Sequence, residues 1–146
     1  QPFRTGVYHE DEFWTYRVFS KARKACRVPY TGYYYYQRQG SIVHTSPSYK
    51  RLSDAFDAAK ERMDFIELQY PQYASVGYTK AMSTCMYLYN KAERGDFPEK
   101  SALQEELLSF FRILFEKYLR RRQYQKFMWR FCFFRLFPKA YCRRFY

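Results

Sequence analysis

The side chains that could do covalent or acid–base chemistry in this chain are few and poorly placed for it. Cys26, Cys85, Cys132 and Cys142 contain no CxxC pair, and together with His9 and His44 they match no zinc-site spacing. Cys132 and Cys142 are ten positions apart. On one helix that is about 15 Å, too far for a bond between them, so free thiols in a reducing compartment are expected. His9 stands beside Glu10 and Asp11, and His44 beside Thr45, which are surroundings of surface or capping histidines. Asp54 with Asp57, and Glu61 with Asp64, are spaced as carboxylates on a helix surface, with Lys60 and Arg62 at hand to pair with them. Gly-rich phosphate loops, GxSxG and HExxH are missing from the sequence. No catalytic, cofactor-binding or metal-binding residue is assigned, and the chain is expected not to be an enzyme.

The chemistry that does stand out is cationic and aromatic, and it is concentrated at one end. Residues 1–109 carry 15 Lys and Arg against 13 Asp and Glu, whereas residues 110–146 carry 11 against the single acid Glu116. The same final quarter holds 14 of the chain's 34 aromatic residues. Planar guanidinium groups suit phosphate and carboxylate, and aromatic rings add contact area with little loss of conformational entropy. Arg120, Arg121, Arg122, Lys126, Arg130 and Arg135 are therefore read as contacts to anionic lipid or phosphate. Phe127, Trp129, Phe131, Phe134 and Phe137 are read as a protein interface. Wound as one helix, this segment spreads its rings round the whole circumference among its charges. A helix lying on a membrane surface would segregate the two, so several partners surrounding the segment at once are expected.

The elements that would position these residues are helical. Gly is scarce, at 5 residues, which argues against a many-stranded sandwich. The first helix is expected over 11–27, opened by Glu10, Asp11 and Glu12 and stopped at Val28-Pro29. A Tyr-rich connector over 30–45 follows, extended along a surface, with room for a short strand. The second helix starts at Ser46-Pro47, read as a cap followed by Pro at the first helical position. Along it Tyr49, Leu52, Phe56, Ala59, Met63, Ile66 and Tyr70 recur at alternating intervals of 3 and 4, one apolar stripe that Pro71 ends. The third helix, 75–94, is read with an apolar face of Tyr78, Met82, Cys85, Met86, Tyr89 and Ala92, ending at Gly95. The fourth begins with a capping box of Ser101 and Gln104 and carries Leu103, Leu107, Phe111, Leu114 and Tyr118 on one face. The expected fold is all-α: a small antiparallel bundle of about four helices spanning 1–118, followed by a basic aromatic C-terminal extension over 119–146. The longest apolar run near the C-terminus is Phe131-Cys132-Phe133-Phe134, far short of the roughly 20 residues that cross a bilayer.

Thr15-Tyr16-Arg17, with Phe19 and Arg23, resembles the Leu-Tyr-Arg motif of small three-helix mitochondrial proteins. Those proteins serve as respiratory-complex subunits or iron–sulfur assembly factors. Thr15 stands where the motif has Leu, and the Tyr-rich connector is foreign to that family. The spacing of Cys132 and Cys142 is similar to that of helical-hairpin proteins oxidised in the mitochondrial intermembrane space, which carry two such pairs; here there is one, interrupted by Pro138. In overall character the chain resembles the supernumerary subunits of mitochondrial complexes, which are short, basic, rich in Tyr, Phe and Arg, and lack an active site. The resemblance implies a non-catalytic accessory subunit of an inner-membrane energy-transducing complex, ATP synthase or a respiratory-chain complex. Its partners would be other subunits and an anionic phospholipid such as cardiolipin. The alternative is a mitochondrial ribosomal protein whose basic C-terminal segment contacts RNA.

Overall fold

Three helices of equal length form the body, and each exists because its apolar residues fall on one side. α2 (Tyr49–Gln69) buries Leu52, Phe56, Ala59 and Met63 from the stripe seen in the sequence, while Tyr49 at its start is exposed. α3 (Ala74–Arg94) buries all six residues of its expected face, and also Ala74, Gly77, Ala81 and Leu88. α4 (Lys100–Arg120) buries Leu103, Leu107, Phe111, Leu114 and Tyr118 as expected, and Phe115 besides. A computed structural model provides these details and describes residues 2–34, 36, 47–121 and 128–146. Among them every regular element is helical.

The bundle is antiparallel between neighbours. A single 3-10 turn, Pro71–Tyr73, returns α2 into α3, and the Tyr78 hydroxyl donates to Glu67 at 2.7 Å across that turn. At the other end the Gln104 side chain donates to Glu93 at 2.7 Å, joining the end of α3 to the start of α4. α2 and α4 therefore run parallel on either side of α3, with the Phe56 and Phe110 rings 5.5 Å apart, edge to face. Gly77 is what lets α3 sit so close to α2. A Cβ there would lie 3.0 Å from the Met63 methyl and 3.2 Å from Ile66. Gly95 ends α3, but in an extended conformation rather than a left-handed one. Its missing side chain makes room for the Phe97 ring, which a Cβ would meet at 2.7 Å.

Local details depart from the sequence reading. α1 (Glu10–Phe19) is shorter than expected: beyond Phe19 come Lys21, Arg23, Lys24 and Arg27, and every residue from 21 to 34 is exposed. A helix with no face to bury is marginal in water, and the Ser20 hydroxyl closes it by donating to the Arg17 carbonyl at 2.8 Å. α1 packs on α2 through rings and charge: Tyr16 meets Phe65, Arg17 reaches Glu61 and Arg62 pairs with Glu12, while Arg4, ahead of α1, also reaches Glu61. The described part of the connector, 30–34 and 36, has no regular structure; its remainder lies outside the described residues. Ser48, not Ser46, stands at the N-cap position of α2, without a side-chain bond to the helix, so Pro47 precedes the helix. The capping box of α4 is not formed. Glu99 is its N-cap, and Gln104 turns to Glu93 instead.

The largest departure is at the C-terminus. Two further helices, α5 (Met128–Leu136) and α6 (Pro138–Phe145), bring the number to six rather than about four. They fold back on the bundle, α5 against α4 and α6 against α3. Pro138 explains both the break and the reversal, since it disfavours helix at the residue before it and is tolerated in the first turn of the next. Phe137 accordingly leaves the helical region, with φ −136 and ψ 65. The rings of Phe131 and Phe134 enter the main core, where Phe134 is 0% exposed. Phe134 meets Phe111 at 5.0 Å, Tyr89 at 5.5 Å and Tyr141 at 5.6 Å, in each case edge to face.

This packing predicts an asymmetry within α5. Phe134→Ala should destabilise the protein by about 3–5 kcal/mol, and Leu136→Ala, at a side chain 68% exposed, should change stability by less than about 0.5 kcal/mol. Urea titration of the two variants measures both values, and equal losses would mean that α5 is not docked through Phe134.

Candidate functional site

The cationic and aromatic residues singled out in the sequence divide into those the chain uses internally and those it presents outward. Arg121 belongs to the first group. Its guanidinium donates to the Pro71 carbonyl at 2.8 Å and lies 5.9 Å from the centre of the Tyr78 ring. It thereby ties the end of α4 to the α2–α3 turn. Arg130 donates from Nε to the buried Tyr141 hydroxyl at 2.8 Å and also faces the Phe145 ring. That bond joins α5 to α6 and satisfies a phenol that is otherwise fully enclosed. Arg135 lies 5.1 Å over the Phe115 ring, and such an exposed cation–ring contact contributes about 0.5–1 kcal/mol. Arg120 is exposed, and its side chain makes no hydrogen bond or ion pair among the described residues. Arg122 and Lys126 lie outside the described residues.

The five rings read as a protein interface divide likewise. Phe131 and Phe134 are core residues of this chain, which corrects their assignment to an outside partner: a ring with no exposed surface has nothing to offer one. Trp129 and Phe137 are 54% and 58% exposed. Phe127 lies outside the described residues. On α5 the exposed Trp129, Cys132 and Leu136 recur at intervals of 3 and 4, so they form a second apolar edge opposite the docked one. Phe137 continues it towards a shallow depression lined by Tyr89, Phe137, Pro138, Ala140, Lys139, Arg143 and Arg144. Three cations stand round that depression and no carboxylate does. Lys139, Arg143 and Arg144 were visible in the sequence as part of the basic run, but their grouping depends on the turn at Pro138.

Ion pairs are found elsewhere, in the body of the fold. α2 carries Lys50 with Asp54 and Lys60 with Asp57, and Lys117 of α4 pairs with its Glu67. Glu67 is the best held of these carboxylates. It accepts both contacts from Lys117 at 2.8 Å and a third from Tyr78 at 2.7 Å. Burial pushes its pKa up, but the hydrogen bonds from Lys117 and Tyr78 outweigh it and hold the carboxyl below its ordinary value near 4.5. The thiols divide by depth. Cys26 and Cys132 are exposed, whereas Cys85 and Cys142 are buried. Burial lifts Cys85 to about 12. Burial, reinforced by nearby Glu93, lifts Cys142 to about 11.

Tyr16 and Arg17, which carry the likeness to the Leu-Tyr-Arg motif, both face α2. The Tyr16 ring meets Phe65 at 5.1 Å, and Arg17 donates to the Tyr16 hydroxyl at 3.0 Å and to Glu61 at 3.2 Å. Among the described residues no group of three or more His, Cys, Asp or Glu comes together as a metal site would require, and no helix is long and apolar enough to cross a membrane. No family model, curated protein or solved structure matches the chain.

The Glu67 cluster joins α2, α3 and α4, and its effect on stability has a definite sign. Because the folded pKa lies below the unfolded one, the unfolded state binds more protons between them, and stability falls as pH drops through that window. Glu67→Gln should destabilise by about 1–2 kcal/mol at pH 7, with the gap to wild type narrowing below about pH 4.5. Denaturant melts of both proteins across that range check it; a gap independent of pH would show that the charge on Glu67 contributes nothing.

Proposed function

We propose that this protein is a non-catalytic accessory subunit of a mitochondrial inner-membrane energy-transducing complex, ATP synthase or a respiratory-chain complex, in which it holds neighbouring subunits and anionic phospholipid. The observation that carries this reading is the outward face of α5 and α6. Trp129, Leu136 and Phe137 are exposed beside Lys139, Arg143 and Arg144, cations without a carboxylate partner among the described residues. Exposed aromatic and cationic groups side by side suit a surface that is covered in the working state. The described tyrosines of the connector support the same reading, since Tyr30, Tyr33, Tyr34 and Tyr36 are all more than 70% exposed. The resemblance in composition to supernumerary mitochondrial subunits supplies the compartment and the kind of complex.

A second reading is favoured by the same cations. Arg120, Lys139, Arg143 and Arg144 would equally suit RNA phosphates, as in a mitochondrial ribosomal protein. A native preparation separates the two. In a mild-detergent native gel the protein should migrate with bioenergetic subunits, stay bound after nuclease treatment, and loosen when a harsher detergent strips lipid. Release by nuclease, with no effect of lipid extraction, would replace this proposal by the ribosomal one.

A further inference from the structure

The outward side of α5 and α6 segregates its apolar residues from its charges, which the same sequence wound as one helix does not. At about 100° per residue, Trp129, Cys132, Phe133 and Leu136 fall within an arc of roughly 100° on α5. Trp129, Cys132 and Leu136 are exposed, and Phe133 is partly buried. The docked residues Phe131 and Phe134 face the other way. Arg130 and Arg135 fall at the two borders between these arcs, and each lies over a ring of its own chain. The outward arc itself carries no charge.

Ring contacts join that arc to α6 as one patch. Phe145 of α6 lies 5.6 Å from Trp129 and 6.2 Å from Phe133, and Phe133 is 6.1 Å from Phe137. Lys139, Arg143 and Arg144, all exposed, stand on α6, with Arg144 5.8 Å from the centre of the Phe145 ring. A strip of rings bordered by cations suits the boundary between water and a bilayer, where acyl chains take the rings and phosphates the charges.

Composition says what would cover this patch. Residues 128–146 contain no Asp, Glu, Asn, Gln, Ser, Thr or His, so the face offers cationic donors and rings but hardly any side-chain acceptor. Protein interfaces carry roughly one hydrogen bond per 100–200 Å², with donors and acceptors on both sides. Anionic headgroups over acyl chains make no such demand, since one layer is all acceptor and the next all apolar. RNA offers phosphates and bases to stack, yet a stacking platform tracks the backbone with cations beside its rings. The outward arc of α5 has none within it.

We propose that this face docks the protein on an anionic bilayer surface. Trp129, Leu136 and Phe137 sink to the boundary between headgroups and acyl chains, and Lys139, Arg143 and Arg144 lie among the headgroup phosphates. The inference rests on the lipid-holding part of the function proposed above and gives it a geometry: this chain touches the membrane directly, not through its neighbours. No described helix is long and apolar enough to cross a membrane, and docking of this kind needs none.

The chain has two tryptophans, so Trp14→Phe leaves Trp129 as the only reporter in the full-length protein. Its emission is read with vesicles of phosphatidylcholine alone, of phosphatidylcholine with phosphatidylglycerol, and of that mixture with brominated acyl chains. The mixed vesicles should shift the emission to the blue and the brominated chains should quench it, while phosphatidylcholine alone binds at least about tenfold more weakly. Leu136→Ala with Phe137→Ala, both at exposed side chains, should weaken binding to the mixed vesicles by about tenfold or more. Lys139→Gln should weaken it about fivefold, and Lys80→Gln, on the opposite side of α3 from Tyr89, should leave it unchanged. The quenching is read with the face unmodified, so it does not depend on how the variants fold. Migration with bioenergetic subunits tests the assembly separately: vesicle docking without it keeps the membrane face and removes the complex, and co-migration without docking does the reverse. Binding to the mixed vesicles without quenching would overturn the proposal. So would no binding at all, or a Trp129 response to polyuridylic acid and not to vesicles, which would assign the face to RNA.

Discussion

The structure depends on the contact that brings Phe134 between Phe111, Tyr89 and Tyr141. These four rings come from α5, α4, α3 and α6, so a single edge-to-face cluster joins the C-terminal helix pair to the two innermost helices of the bundle. Three helices alone would leave the flank of α3 and α4 that bears Tyr89, Phe111 and Phe115 open to water. Covering it with the chain's own last two helices removes that surface and orders a segment too cationic to collapse by itself. The charges are accommodated because the guanidinium groups lie over ring faces, Arg135 on Phe115 and Arg130 on Tyr141 and Phe145. The electrostatic attraction to a ring's negative face needs no carboxylate, and the last quarter of the chain has only one.

Docking one side of α5 leaves the other apolar as well. A nine-residue helix with Phe131 and Phe134 inward still carries Trp129, Cys132 and Leu136 outward. Phe137, released from the helix by Pro138, leads from that edge to the three cations of α6. The same turn that lets the segment fold home thus gathers its unused rings and charges onto one surface. At the junction of α1 with α2, by contrast, Glu12 and Glu61 are each paired with an arginine of the other helix. Electrical neutrality of the body and the strong positive charge of the end are two consequences of one distribution.

Much of the body was legible in the sequence because it rests on periodicity. The stripes of α3 and α4 are buried residue for residue, and that of α2 at Leu52, Phe56, Ala59 and Met63, because each reflects a helix with one side turned to the core. What was not legible rests on long-range packing. Phe115 falls one position off the α4 stripe and is buried with Arg135 of α5 over its ring. The C-terminal segment reads as rings on every side if wound as one helix; the break at Pro138 restarts the count, and two ordinary one-sided helices result. The sites followed suit. Arg121 and Arg130 look like free cations in a basic run, yet each closes a junction within the chain, and nothing local distinguishes them from Arg143. The end of α1 was overestimated for the converse reason, since good helix formers after Phe19 meet no surface on which to pack.

The central claim is that one short segment serves both as core and as outer surface, and its two cysteines report on the two roles separately. Cys132 lies on the outward edge of α5, and Cys142 on the inward side of α6. Thiol alkylation of the native protein near pH 8, followed by mass mapping of the modified residues, reads both at once. Cys132 and Cys26 should react readily, while Cys142 stays protected with Cys85 until denaturant is added, consistent with thiols raised to about 11 and about 12. Alkylation of Cys142 as fast as that of Cys132 would contradict the account, because it would mean that the last two helices do not rest on the bundle.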